Sequence, residues 1–219
     1  MQGLWSLFKR RIFAVPSSDG LFNQYKERNT EVDLPMAAEI RRKNLHNYFA
    51  SFQKAPQIVL IGEAPGPWGC RFSGIPFTGE RQLINDELPF SGKRSSLSRP
   101  RMDIWKKSPY VSNSARLFWR TLRKYHRHFF VWNCIPIHPY KRDKILSVRT
   151  PTTEEVLRFA GILAEILAIV NPKEVIAIGK KAEFSLKRLH IPCTYVRHPS
   201  QGGAVKFRAG MHRVFARLK

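Results

Sequence analysis

The chain has 219 residues, enough for one sizeable hydrophobic core, and carries 38 Lys and Arg against 16 Asp and Glu, a formal net charge of +22. That excess is more than solubility requires and points to a polyanion, most simply nucleic acid, with a membrane surface as the competing reading. Cys70, Cys134 and Cys193 stand far apart, which excludes a disulfide framework or a four-thiolate metal or iron–sulfur site and suits free thiols in a reducing cytoplasm.

Residues 1–35 read as a basic arm packed on a single domain formed by residues 36–219. Within the arm, Lys9, Arg10 and Arg11 mix with Trp5, Leu7, Phe8, Ile12 and Phe13, and the apolar runs break too early for a signal peptide or a membrane span. A helical stripe follows over residues 36–52, carried by Ile40, Leu45, Tyr48, Phe49 and Phe52. The β-branched run at 57–62 predicts a buried parallel strand. It leads into a stretch, residues 62–77, with four glycines and three prolines, which can continue as neither helix nor strand. Its glycines let backbone approach a ligand, its prolines stiffen it, and Phe77 at its far end offers a flat ring. Rigid backbone plus a stacking ring suggests a pocket for a planar heterocycle.

Residues 81–110 read as a basic loop containing Lys93, Arg94, Arg99 and Arg101. Ser112 caps a predicted helix running to about residue 125. A second strand, 129–132, ends at Asn133. Past a loop bearing Lys141 and Arg142, Thr152 and Glu155 have the spacing of a capping box for a helix that stops before Pro172. A third strand at 174–178, a turn at Gly179, a helix at 180–190, a fourth strand at 193–197 and a short terminal helix complete the chain. Strands alternating with helices predict an α/β fold of three layers, α/β/α, around a central, mainly parallel four-stranded sheet. Ligands of such sheets sit at the carboxyl ends of the strands. Three strands here end in unusual sequences: Glu63 and its loop, Asn133, and His198-Pro199-Ser200.

These segments resemble the uracil-DNA glycosylase superfamily. Gly62-Glu63-Ala64-Pro65-Gly66 is similar to the first motif of its thermophilic-type branch, and Pro65 through Phe77 also to the single-strand-selective monofunctional branch. Asn133 with Cys134 and Pro136 resembles the base-reading asparagine segment, and His198-Pro199-Ser200 the second catalytic motif. The resemblance implies removal of uracil or a related damaged base from DNA in base excision repair, without a covalent sugar intermediate because no lysine stands in those motifs. It implies catalytic roles for Glu63 and His198, and base binding by Gly62, Ala64, Pro65, Gly66, Phe77 and Asn133. DNA contacts are expected from Lys93, Arg94, Arg99, Arg101, Lys141, Arg142, Ser200, Gly202, Gly203 and Lys206. No metal or other cofactor is expected, and the partner is DNA rather than a membrane. A monomer in a bacterial-type cytosol or nucleoid is the expected setting.

Taken singly, each residue has a plainer reading: Phe77 as core filler, Asn133 as a turn cap, His198 as a surface histidine. His138, between Ile137 and Pro139, reads as structural. Departures from the family pattern set two further expectations. Ala64 stands where several branches place an acid or amide that orients water, which leaves Glu63 as the nearest candidate and keeps open a non-enzymatic binder of a flipped base or abasic site. Gly66 replaces the bulky ring of the strictest uracil-specific branch, so 5-substituted uracils have room. Gly202 replaces a leucine wedge, leaving Val205 or Phe207 to fill the gap in the stack.

Overall fold

A computed structural model of the chain describes residues 2–85, 87–97 and 109–217; the expected DNA contacts Arg99 and Arg101 lie outside the described residues. The chain opens with α1 (Gln2–Arg11), whose Leu4, Leu7 and Phe8 repeat at helical spacing and are buried. Next come β1 (Leu21–Phe22), α2 (Ala37–Ala50), β2 (Ile58–Gly62), the short helices α3 (Cys70–Ser73) and α4 (Glu80–Ile84), and α5 (Asn113–Leu122). A 3-10 segment, Arg123–His128, leads into β3 (Phe129–Asn133) and β4 (His138–Pro139). The remainder is α6 (Thr153–Val170), β5 (Glu174–Ile178), α7 (Lys180–Arg188), β6 (Thr194–Val196) and α8 (Ala204–Ala216).

Both predicted caps form. The Ser112 hydroxyl accepts from the Ala115 N–H, and Thr152 and Glu155 bond each other's backbone N–H reciprocally. Several element ends shift by one or two residues, and three differences from the sequence reading are larger. The stretch from residue 81 begins inside α4 rather than in a loop, because Gln82 reaches back to accept from the Gly79 N–H. The helix after Ser112 tightens into 3-10 geometry at Arg123, and the terminal helix is a full 13 residues rather than a short one.

The sheet has the order β3-β2-β5-β6 and every pairing is parallel. Alternation along β3 sorts the covering helices into two layers. Phe130 contacts Phe49 of α2 and Trp132 contacts Phe8 of α1, whereas Phe129 meets Phe118 of α5 and Phe215 of α8. The sheet is therefore buried on both faces, which is why its central strands read as unbroken apolar runs.

Residues 2–35 are built into this body. Leu4, Phe8, Ile12, Leu21 and Tyr25 belong to the same core as the sheet. The Tyr25 hydroxyl donates to the Gly74 carbonyl at 2.7 Å, and Gln24 donates to the Pro136 carbonyl at 2.9 Å while accepting from the His138 N–H at 3.2 Å. The segment thus grips, from behind, both loops that leave the carboxyl ends of β2 and β3. No helix among the described residues is long and apolar enough to cross a membrane.

Candidate active site

The carboxyl ends of the sheet strands open into a cavity of about 570 Å³, lined among others by Glu63, Ala64, Gly66, Phe77, Asn133 and His198. Sheet register brings the first two strand endings together, because Gly62 pairs directly with Asn133. A Cβ at Gly62 would fall 2.6 Å from Asn133 Oδ1 and 2.6 Å from Phe77 Cε2, so only glycine lets the amide and the ring close on the strand end together. Phe77 adopts φ 50°, an uncommon conformation for an aromatic residue, and its ring stacks on Phe118 at 4.8 Å. Phe118 backs one face of that ring, which leaves the other for a planar ligand. Among the described residues the Asn133 side-chain amide has no hydrogen-bond partner, so one acceptor and one donor face the cavity.

His198 stands at the opposite wall, its ring 5.5 Å from that of Phe77. Its Nδ1 accepts from the Ser200 backbone N–H at 3.1 Å and lies 2.7 Å from the Ser200 hydroxyl. A nitrogen that accepts from a backbone N–H carries no proton, so the neutral ring holds its hydrogen on Nε2. Burial, reinforced by Arg197, lowers the His198 pKa to about 4, which keeps the ring neutral near pH 7. The tight loop that makes this possible needs a glycine at 203, where a Cβ would sit 2.0 Å from the His198 carbonyl oxygen.

Glu63 completes the floor. Its Oε1 is buried without a partner, and its Oε2 lies 3.9 Å from the Lys181 ammonium. Burial raises its pKa above the ordinary carboxyl range, with Lys181 opposing the rise. Lys180 and Lys181, at the turn after β5, also line the cavity. Both have acceptors within the chain. Lys181 donates to the Thr150 hydroxyl, while Lys180 pairs with Glu183 at 3.1 Å and lies over the Tyr195 ring. Among the described residues no three His, Cys, Asp or Glu side chains cluster as a metal site would require.

Comparison with known proteins gives this geometry its family. Residues 49–216 match the model of the uracil DNA glycosylase superfamily, well over half of the chain. The chain belongs to the uracil-DNA glycosylase superfamily. It is 29% identical, over 160 residues, to a single-strand selective monofunctional uracil-DNA glycosylase of Rattus norvegicus; that match covers 65% of this chain and 56% of the relative's length. The crystal structure of wild-type SMUG2 from Pedobacter heparinus shares the fold with a TM-score of 0.68 at 14% identity, covering 99% of this chain and 97% of that one.

Within this superfamily member the remaining expected residues fall into distinct places. Gly62 and Pro65 stand behind the cavity wall rather than in it. Gly62 seats Asn133 and Phe77, and the Pro65 carbonyl lies 2.8 Å from Nδ1 of buried His138, whose other ring nitrogen is 3.0 Å from the Ile145 carbonyl. His138 thus sits between two loops, and its neutral ring, with one N–H, donates to one of the two carbonyls. The Ser200 N–H donates to His198 Nδ1, and its hydroxyl lies 2.7 Å from the same nitrogen. The Arg94 guanidinium donates to Ser96 within its own loop, while Lys93, Lys141, Arg142, Gly202 and Lys206 are exposed. Phe207 is fully buried and so cannot wedge into a base stack, whereas Val205 is 73% exposed. Sequence reasoning passed over Arg116 and Arg120 of α5, which line a shallow groove with Ser200 and Gln201 beside the cavity. Their signal was present: α5 presents arginines four apart opposite its buried stripe.

Proposed function

We propose that the protein is a monofunctional DNA glycosylase that hydrolyses the N-glycosidic bond of uracil, or of a 5-substituted uracil, in DNA. The observation that carries this is the meeting of the Asn133 amide, the Phe77 ring and the Nε2–H of His198 around one cavity. A flipped base must recover a few kcal/mol of unstacking. Stacking on Phe77 contributes about 1–3 kcal/mol of that. Asn133 Oδ1 accepts from uracil N3–H and its amide donates to O4; cytosine reverses both groups and is rejected.

As the glycosidic bond breaks, the bonding electrons pass to the base and negative charge develops on its O2. A neutral histidine with its hydrogen on Nε2 donates to that oxygen without surrendering a full proton. The sugar becomes cationic, water adds to its anomeric carbon, and the water's second proton leaves to a base. Glu63 is that base in this reading, since the Ala64 side chain has no polar atom. The products are the free base and an abasic site. Lys180 Nζ lies 3.1 Å from Glu183, and Lys181 Nζ donates to Thr150 and lies 3.9 Å from Glu63, so both side chains have acceptors within the chain, and this reading gives neither an imine-forming role. Borohydride in the reaction should therefore trap no protein–DNA adduct.

Gly66 supports the wider substrate range, because a Cβ there would meet no atom within 4 Å. The test is single-turnover excision from labelled oligonucleotides bearing uracil, 5-hydroxymethyluracil, xanthine or hypoxanthine, read after alkaline cleavage of abasic sites. Uracil and 5-hydroxymethyluracil should be released and the two purines not. A second reading rests on Ala64: a protein that holds a flipped base or abasic site without excising it. Tight binding of abasic DNA with no excision from any oligonucleotide would establish that reading instead.

A further inference from the structure

Beside the base cavity lies a second one of about 420 Å³, between residues 150–156 and α7. Glu63, Lys180 and Lys181 line both cavities, so they share a wall. The second cavity differs in character. Its floor is apolar, from Pro151 and Val156, and at its mouth stands Phe184, 59% exposed. The Arg188 guanidinium lies 5.5 Å from the centre of that ring. Lys180, Lys181, Lys187 and Arg188 supply four cations against two carboxylates, Glu63 and Glu183. Glu183 is already bracketed by Lys180 at 3.1 Å and Lys187 at 2.9 Å.

An aromatic residue exposed to this degree is not serving the core, and an excess of cations around it disfavours a cationic or neutral occupant. A flat apolar face rimmed by positive charge fits a nucleobase attached to its phosphate. The shared wall fixes which nucleotide: whatever fills the second cavity is the immediate neighbour of whatever fills the first. We propose that this cavity is a subsite for the nucleotide adjacent to the flipped one on the same strand. Its base stacks on Phe184, and its phosphate lies toward Lys181 and Lys187. The inference rests on the DNA glycosylase reading above and adds a grip on the strand that acts only when the neighbouring base is unpaired. Single-stranded DNA meets that condition throughout, so the subsite favours single strands over duplex.

The experiment uses the full chain and a single-stranded oligonucleotide with one central uracil, in three forms: intact, with an abasic spacer on the 5′ side of the uracil, and with the spacer on its 3′ side. Affinity is measured by fluorescence anisotropy under conditions where excision is slow, and excision is measured separately. One of the two spacers should weaken binding by about 5- to 100-fold, the scale of removing one base–aromatic stack. Phe184→Ala should weaken binding to the intact strand by a similar factor and bind that spacer strand no worse than wild type does. This non-additivity is the signature of a direct contact. Phe184→Tyr should restore both affinity and spacer sensitivity. Because Phe184 is on the surface, circular dichroism of the alanine variant should match wild type.

Uracil excision with no sensitivity to either spacer, or with Phe184 and spacer effects that simply add, overturns the subsite and leaves the glycosylase reading standing. So does unchanged DNA affinity in Phe184→Ala. Failure of wild type to excise uracil or to bind any of the strands removes both readings together. Arg188→Gln provides an independent check, with a loss of only a few-fold expected from the rim of the same slot.

Discussion

Two regions of the molecule take charged groups out of water, and they treat them in opposite ways. Behind the base cavity, Asp33, Arg41 and Arg71 have side chains with no exposure at all. Asp33 accepts from Arg41, from Arg71 at 2.8 and 3.0 Å and from the Asn29 N–H at 2.8 Å. Glu80 nearby accepts from the Ser95 and Ser96 N–H groups and from the Ser96 hydroxyl. The Arg71 guanidinium also lies between the rings of Phe22 and Phe72, at 4.7 and 4.5 Å. Of this cluster only Arg71 Nε has no partner. In the cavity the balance is reversed. Glu63 Oε1 is buried and unpartnered, and the Asn133 amide and His198 Nε2 have no hydrogen-bond partner among the described residues. A saturated network resists change and holds shape; an unsaturated wall keeps its hydrogen-bonding capacity for a ligand. Polarity alone does not mark a site; several polar groups left unspent around one cavity do.

The contrast predicts that substitutions in the two regions will separate stability from activity. Asp33→Ala leaves two buried guanidinium groups without their carboxylate and should destabilise the fold by about 3–5 kcal/mol. Urea denaturation reads this directly, and a loss under about 1 kcal/mol would mean that water enters the cluster. His198→Ala should do the reverse. It removes one donor to the developing charge, so single-turnover excision should fall by about 10²–10³-fold while affinity for DNA holds. Asn133→Asp belongs with it. A carboxylate cannot donate to uracil O4 and repels its partial charge, so uracil excision should be almost abolished with the urea midpoint little changed. Should Asn133→Ala retain full uracil activity, this amide does not read the base.

The same division explains what was legible in the sequence. The strands at 58–62 and 129–133, both caps, and the edge where Glu63, Asn133 and His198 meet were visible because each rests on local pattern: buried parallel strands read as apolar runs, and strand-end loops must lie at the ligand edge. The cluster behind the site was not visible. Asp33, Arg41, Arg71 and Glu80 are spread across residues 33–80 of the sequence, and Arg41 beside Arg42 and Glu80 beside Arg81 look like solvated surface. The roles of Gln24 and Tyr25 were hidden for the same reason, since they act on loops 49 or more residues away. The contacts of Ser200 with His198 were not visible either, because a serine in a loop gives no sign of which neighbour its N–H will meet.

Titration offers a gentler way to sharpen the comparison. Burial lowers the pKa of His138 and of His198 to about 4, below the usual histidine value. Between about pH 6.5 and pH 4 the unfolded chain therefore binds more protons than the folded one, so stability rises with pH through that window and falls as acid is added. Excision should respond differently. His198 remains neutral down to about pH 4, whereas Glu63, raised by burial, must be ionised to accept the water's proton. The rate should fall with acid as Glu63 protonates, before His198 charges, and Glu63→Gln should be slow with that limb of the profile removed. A limb that persists unchanged in Glu63→Gln would assign the titration elsewhere.

The smallest effect belongs to the surface, which is neither saturated nor poised. Lys141 and Arg142 are exposed, and among the described residues the Arg142 guanidinium pairs with exposed Asp19, at 3.9 Å. Replacing both with glutamine should leave stability within about 0.5 kcal/mol of wild type. If the two cations border the strand, each phosphate they cease to neutralise should reduce the slope of log affinity against log salt by about 0.9 on duplex and about 0.7 on single-stranded DNA. The reduction should be the same for uracil-containing and undamaged strands, because groups that meet phosphates position the nucleic acid without reading its bases. Arg116→Gln with Arg120→Gln, in the groove beside the His198 loop, provides the paired measurement. A slope that changes for α5 but not for Lys141 and Arg142 would run the strand across α5 and away from the loop after β4.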